Sequence, residues 1–188
     1  ITLQGNKINT NGDIPAVGDQ AMDFVLVDSD LNNVSLETFN GKNKILNIIP
    51  SLDTPVCQKS TAVFNEKASS LNDTVVLAVS ADLPFAMKRF CTSEKLDNIK
   101  PLSMMRSRNF AKEYGVLITD GPLAGITARA VIVIDKDDKI IHTELVAEIA
   151  NEPNYDDALK FSQKSLQSYS VDANTLVDES RPTSLKQR

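Results

Sequence analysis

Two rhythms of apolar residues alternate along this chain. Unbroken runs occur at Ile45-Leu46-Asn47-Ile48-Ile49, Val75-Val76-Leu77-Ala78-Val79 and Ala130-Val131-Ile132-Val133-Ile134. Such runs suit strands of a sheet covered on both faces, although periodicity alone does not separate them from buried helix. Between them the repeat turns helical. Thr61, Phe64, Ala68 and Leu71 share one face of a helix that follows the first run. The pattern predicts strands at 74–80, 128–134 and 139–147, the last two joined by the charged turn Asp135-Lys136-Asp137-Asp138. Shorter strands are expected at 21–27 and 33–36, and a small hairpin at 1–10 turning at Gly5-Asn6. Helices are expected from Asp82, as a cap, to Cys91, over Asn109–Tyr114 up to Gly115, and from Asn154 to about Ser168.

Alternating strands and helices make the chain α/β. One domain is expected over 1–167, hairpin included. Residues 168–188 are polar, rich in Ser and Asp, and read as an irregular or disordered C-terminal extension. Val171, Leu176 and Val177 are its only candidates for anchoring on the body or on a partner subunit.

Composition narrows the function classes. A chain of 188 residues with 41% apolar content can build one sizeable core. Its formal charge of −5, without a basic stripe or aromatic–basic interleaving, argues against a nucleic-acid surface. No apolar run approaches the roughly 20 residues that span a bilayer. Two cysteines are too few for a disulfide-stapled secreted scaffold.

Those two cysteines carry the candidate chemistry. The first run ends at Pro50, and Ser51-Leu52-Asp53 leads into Thr54-Pro55-Val56-Cys57. Thr54 is a good N-cap and Pro55 suits the first helical position. Cys57 then takes the third position, where backbone N–H groups lack intrahelical partners. Those donors and the positive helix end favour a thiolate. Cys91 closes the segment Ala81-Asp82-Leu83-Pro84-Phe85-Ala86-Met87-Lys88-Arg89-Phe90-Cys91 and could pair with Cys57 in a redox cycle. The plainer alternative is one buried core cysteine and one inert helical one.

The segment Pro50-Ser51-Leu52-Asp53-Thr54-Pro55-Val56-Cys57 resembles the peroxidatic loop of the peroxiredoxins, Pro-x-x-x-Thr-x-x-Cys, and within them the atypical two-cysteine thiol peroxidases of bacteria. Ser80 through Cys91 resembles the segment bearing the family's resolving cysteine. Gly121-Pro122-Leu123-Ala124-Gly125 and Ala128-Arg129-Ala130-Val131 resemble the loop and strand that supply its arginine. The similarity runs from about residue 1 to about 161. It implies a thioredoxin-like fold, a central mixed sheet flanked by helices with an added N-terminal hairpin. It also implies reduction of hydrogen peroxide and alkyl hydroperoxides. Cys57 would be the peroxidatic nucleophile and Cys91 the resolving cysteine in an intramolecular disulfide. Thr54 and Arg129 would hold peroxide and thiolate, and Pro50 would shield the sulfur. Thioredoxin as reductant, a homodimer and no cofactor are further implications. The bacterial cytoplasm is the expected compartment, with the periplasm open because the chain begins at Ile1.

Two positions depart from the family's pattern. Met104-Met105-Arg106 stands where most relatives have an acidic residue after Leu102-Ser103, and Phe90 stands where a tryptophan is frequent. Other residues invite weaker readings. His142, the single histidine, suits a surface or cross-strand place, and no zinc spacing joins it to the cysteines. The 121–125 loop lacks both the phosphate-loop ending and dinucleotide glycine spacing. Glu113 reads as a helix surface group. A disulfide reductase would need Cys-x-x-Cys, which is absent. A redox sensor or holdase could use the same two cysteines.

Overall fold

The computed structural model describes the backbone of residues 1–178. A small hairpin, β1 (Thr2–Leu3) with β2 (Asn6–Lys7), precedes the main sheet. The sheet contains β3 (Leu26–Val27), β4 (Asn33–Val34), β5 (Asn43–Ile48), β6 (Thr74–Ser80), β7 (Ile99–Ser103), β8 (Ala130–Ile134) and β9 (Ile140–Leu145). Its helices are α1 (Pro55–Ala68), α2 (Pro84–Ser93), α3 (Asn109–Glu113) and α4 (Tyr155–Asp178). The strand order is β4-β3-β7-β6-β5-β8-β9. β5, β6 and β7 run parallel, and β8 returns antiparallel beside β5. This is the mixed, thioredoxin-like α/β sheet expected from the sequence, with the N-terminal hairpin in place.

The unbroken runs are strands because both faces are covered. Leu46, Ile48, Leu77, Val79 and Ile132 face a core completed by Phe24, Phe110 and Tyr114. Their alternate neighbours Ile45, Val76, Ala78, Val131 and Val133 pack against Phe64 of α1 and Ala158 and Leu159 of α4. Period-2 alternation assigns the two sets to opposite faces. Polar residues on the second face find helical partners. Asn43 Nδ2 donates to the Ser162 carbonyl and Asn47 Nδ2 to Thr61 Oγ1.

Several expected boundaries shift. The hairpin turns at Gln4-Gly5, both with positive φ, one residue before the expected place. The strands expected at 21–27 and 33–36 shrink to two residues each. Asp23 explains the loss, since its Oδ1 accepts the backbone N–H groups of Phe24 and Leu36 in place of a strand ladder. β7 was not legible in the sequence, because it contains Pro101. The proline is tolerated because β7 pairs with β6 along its length but with β3 only at Ser103. α4 continues to Asp178, through the boundary drawn at 168. No Gly or Pro interrupts that stretch, so a nucleated helix can propagate through it. The anchoring roles expected of Val171, Leu176 and Val177 lie outside the described side chains, and residues 179–188 lie outside the described residues. Among the described residues no helix is long and apolar enough to cross a membrane.

α3 stops at Gly115 as expected, and the reason is tertiary as well as local. Gly115 has φ +66°, and a Cβ there would sit 2.0 Å from the Asp13 carbonyl oxygen. Gly115→Ala should therefore lower stability in urea unfolding by roughly 1–3 kcal/mol. Gly12, with open space around it, serves as the control: Gly12→Ala should change stability by less than about 1 kcal/mol.

Candidate active site

The parallel strands end together, and the loops leaving them build the site. Ile49 extends β5, its N–H donating to the Val79 carbonyl. Pro50 follows and is buried. The turn 51–54 delivers Thr54 in extended conformation at the N-cap of α1, with Pro55 at its start. The Gln58 N–H donates to the Thr54 carbonyl as the helix begins. Cys57 thus occupies the third helical position, as the sequence indicated, and is fully buried. Ile49, Leu52 and Met87 pack around it, with Phe90 at the edge of the cluster.

Thr54 holds the N-cap position without acting as a side-chain cap. Its hydroxyl instead donates to the Ser51 carbonyl at 3.1 Å. That bond consumes the one hydroxyl donor and leaves its acceptor lone pairs. It also leaves the first backbone donors of α1 without a side-chain partner, next to the cysteine.

Arg129 comes from the other direction. β8 is antiparallel to β5, with Ile48 opposite Ala130. The residue before β8 therefore lies where β5 ends. Arg129 is only 2% exposed. Its Nη2 lies 3.4 Å from Cys57 Sγ, and its Nε donates to the Ile149 carbonyl at 2.9 Å. Nη1 is buried and has no hydrogen-bond partner among the described residues. Thr127 Oγ1 donates to the Ile49 carbonyl at 2.7 Å, tying the approach to β8 onto the end of β5. The Arg129 guanidinium and the N-terminus of α1 both present positive charge to the sulfur.

The segment that follows Ile149, and Glu148 before it, carry further polar contacts. Glu152 accepts from Lys59 Nζ at 2.5 Å and from the Tyr155 hydroxyl at 2.9 Å. The Lys59 hydrogen bond, helped by the Arg129 charge, holds the Glu152 carboxyl below its usual range. Burial and the Glu152 carboxylate push the Tyr155 hydroxyl up. Glu148 accepts the Gly5 and Gln4 N–H groups and the Thr2 hydroxyl, which bring its carboxyl down to about 2. That carboxylate moors the N-terminal hairpin beside Ile149. None of these groups was singled out from the sequence; the Lys59–Glu152 and Thr2–Glu148 partners are distant along the chain.

Cys91 sits apart, on α2. It is half-buried, packs against the Phe64 face of the core, and is a free thiol like Cys57. Burial pushes its thiol up to about 11. A cavity of about 340 Å³ separates the Cys57 loop from α2, lined by Leu52, Asp53, Gln58, Asp82, Met87 and Phe90 among others. A slightly larger one, about 370 Å³, lies at the β3–β4–β7 edge near Val34 and Lys100 and touches neither cysteine. The 340 Å³ cavity lies between the loop that delivers Cys57 and the helix that carries Cys91, and a smaller one, about 200 Å³, is lined by Cys91 itself.

Asp82 corrects the sequence reading. The N-cap of α2 is Leu83, and Asp82 lies outside the helix. Its carboxylate accepts the Leu52 N–H and the Ser51 hydroxyl across the site. Met104 is buried just past β7. His142 stacks on Phe161 at 5.0 Å, and burial lowers its pKa. Among the described residues no group of three or more His, Cys, Asp or Glu side chains could hold a metal ion.

Known proteins share the sequence and the fold of this chain. The Redoxin family profile matches residues 16–159. The thiol peroxidase of Mycobacterium tuberculosis is 53% identical over 159 residues, 85% of this chain and 95% of that protein. A peroxiredoxin-like protein from Aquifex aeolicus superposes with a TM-score of 0.83 at 41% identity, over 88% of this chain and 96% of that one. Thiol peroxidase from Chromobacterium violaceum gives 0.82 at 28% identity, over 89% and 97%. Sequence identity at this level over nearly the full length of a relative, joined to the same fold, establishes that the chain belongs to the thiol peroxidase family of redoxins.

Proposed function

We propose that this chain reduces hydrogen peroxide and alkyl hydroperoxides, with Cys57 as peroxidatic nucleophile and Cys91 as resolving cysteine. One observation carries the reading: the buried Arg129 guanidinium, 3.4 Å from Cys57 Sγ, keeps a second nitrogen without a hydrogen-bond partner among the described residues. The Cys57 thiolate attacks the terminal oxygen of the peroxide. An S–O bond forms, the O–O bond breaks, and the departing alkoxide or hydroxide takes a proton to leave as alcohol or water. Arg129 Nη1 and the uncapped N–H groups of α1 donate to the oxygen on which charge develops. Thr54, its donor already used, accepts from the peroxide hydroxyl and orients it. Buried Pro50 keeps bulk water from the sulfur.

Resolution follows in a second arrangement. Cys91 loses its proton and attacks the Cys57 sulfenic acid. An S–S bond forms and hydroxide leaves as water with that proton. The cysteines sit on separate helices in separate apolar clusters, so α1 or α2 must loosen first. Loosening also exposes Cys91 and relieves the burial that keeps it protonated. Thioredoxin then supplies two electrons to reduce the disulfide, in a cytoplasmic homodimer. The exposed Leu83 and Phe85 at the start of α2 offer apolar surface beside the site for such contacts.

Three outcomes test this reading. Cys57→Ser should abolish peroxide consumption, while Cys91→Ser should complete one oxidation and then stall in a thioredoxin-coupled assay; full turnover by Cys57→Ser would overturn the assignment. Arg129→Met should slow peroxide attack roughly 10²–10³-fold and slow alkylation of Cys57 by iodoacetamide at neutral pH. An alkylation rate equal to that of the parent would remove Arg129 from the site chemistry. Finally, non-reducing peptide mapping of the oxidised protein should find Cys57 joined to Cys91 within one chain, with faster amide exchange around one of them than in the reduced protein. A subunit-crosslinked species lost in either single-cysteine variant would put the resolving cysteine in trans.

A further inference from the structure

The segment between β6 and α2 holds a polar cluster that the peroxide chemistry does not use. Asp82 Oδ1 accepts from Ser51 Oγ at 2.8 Å. Asp82 Oδ2 accepts the Leu52 N–H at 2.7 Å and Ser80 Oγ at 2.8 Å. The Asp82 N–H donates back to Ser80 Oγ at 3.1 Å, and Ser103 Oγ donates to the Asp82 carbonyl at 2.5 Å. Ser80 and Ser103 are fully buried at the ends of β6 and β7. The carboxylate is therefore fixed to the rigid end of the sheet. Ser51 and Leu52 belong to the loop that delivers Cys57, and α2 begins two residues after Asp82 with Pro84.

One side chain thus joins the Cys57 loop to the root of the Cys91 helix. Ser51 extends the link inward. Its hydroxyl accepts the Asp53 N–H, and its carbonyl accepts both the N–H and the hydroxyl of Thr54. A chain of hydrogen bonds runs from the sheet end through Asp82 and Ser51 to the N-cap of α1. Hydrogen bonds to a carboxylate are stronger than neutral ones, and a chain of them holds a loop in one geometry.

We propose that Asp82 is a positioning residue, a latch that holds the Cys57 loop closed for attack on peroxide and must release it before Cys57 meets Cys91. This rests on the roles assigned above to the two cysteines. Closed, the latch holds Cys57, at the start of α1, against Arg129. Released, it frees residues 51–54, and with them Cys57, from the sheet end. Weakening the latch should therefore move the two chemical steps in opposite directions. General damage to the fold would slow both.

The test uses the full chain with Asp82→Asn and, as the milder change, Ser51→Ala. Asn keeps the size of Asp but replaces an acceptor oxygen by a donor, so one of the accepted bonds is lost. Sulfenic acid formation is timed by rapid quench with dimedone, using a Cys91→Ser background. Disulfide formation from the sulfenic acid is timed by acid quench and alkylation with both cysteines present. Asp82→Asn should slow the first step several-fold and speed the second several-fold, with Ser51→Ala shifting both the same way by less. Amide exchange in the reduced protein gives a readout independent of peroxide. Exchange at Leu52–Cys57 should rise about tenfold or more in Asp82→Asn, with β5 and β6 unchanged. Unchanged exchange there, or a fall in both rates together, overturns the latch. A parent chain that forms no sulfenic acid at Cys57 overturns instead the proposed function, while the exchange measurement still decides the latch.

Discussion

The buried Arg129 guanidinium is the constraint around which the site is built. A cation that is 2% exposed costs several kcal/mol to desolvate unless its charge is answered nearby. Here Nε is satisfied by the Ile149 carbonyl and Nη2 by the Cys57 sulfur. The interaction runs both ways. The guanidinium donates to the sulfur, and the sulfur gives the buried cation a polar partner. Because Ile149 also pairs its N–H with the Thr2 carbonyl, the N-terminal hairpin is part of the frame that aims the arginine.

Topology makes that meeting possible. In a sheet with parallel β5, β6 and β7, the loops after each strand emerge at one edge, where sites of α/β folds collect. The Cys57 loop follows β5, Asp82 follows β6, and Met104 follows β7. β8 runs the other way and enters at that same edge with Arg129 at its threshold. Residues distant in sequence thereby become neighbours without any long loop. The helices add direction, because α1 starts at the edge and turns its positive end toward the sulfur.

The same edge carries the tension between two needs. Attack on peroxide wants a closed, dry pocket, and Cys57 is wholly buried. Disulfide formation wants two helices to approach, and Cys91 lies in another apolar cluster with its thiol held up near 11 by burial. In the proposed cycle, with Cys57 as nucleophile and Cys91 as resolving cysteine, a closed state serves the first half and obstructs the second. Hydrogen bonds can be exchanged for water at modest net cost, whereas a packed apolar core cannot be opened so readily. The polar contacts of the Cys57 loop with the sheet end suit a motion of this kind.

Local rules were enough for much of this protein. Apolar runs located β5, β6 and β8, and the Thr54-Pro55 signal placed the start of α1 and Cys57 at its third position. A resemblance carried by short motifs supplied the pairing of Cys57 with Arg129, which periodicity could not. What failed locally failed for tertiary reasons. Pro101 hid β7, because whether a strand tolerates a proline depends on which neighbours it pairs with. Asp23 shortened β3 and β4 by taking backbone donors on both sides of them. Thr54 and Asp82 both read as caps, yet each side chain found a stronger partner elsewhere. The sequence by itself determined the central strands β5, β6 and β8, the starts of the main helices, and which cysteine stood at a helix start. Only the tertiary structure decided where Asp82 and Arg129 directed their polar atoms, because a hydrogen-bonding group takes the best partner that folding brings within reach, and for these two the partners include residues distant in the chain.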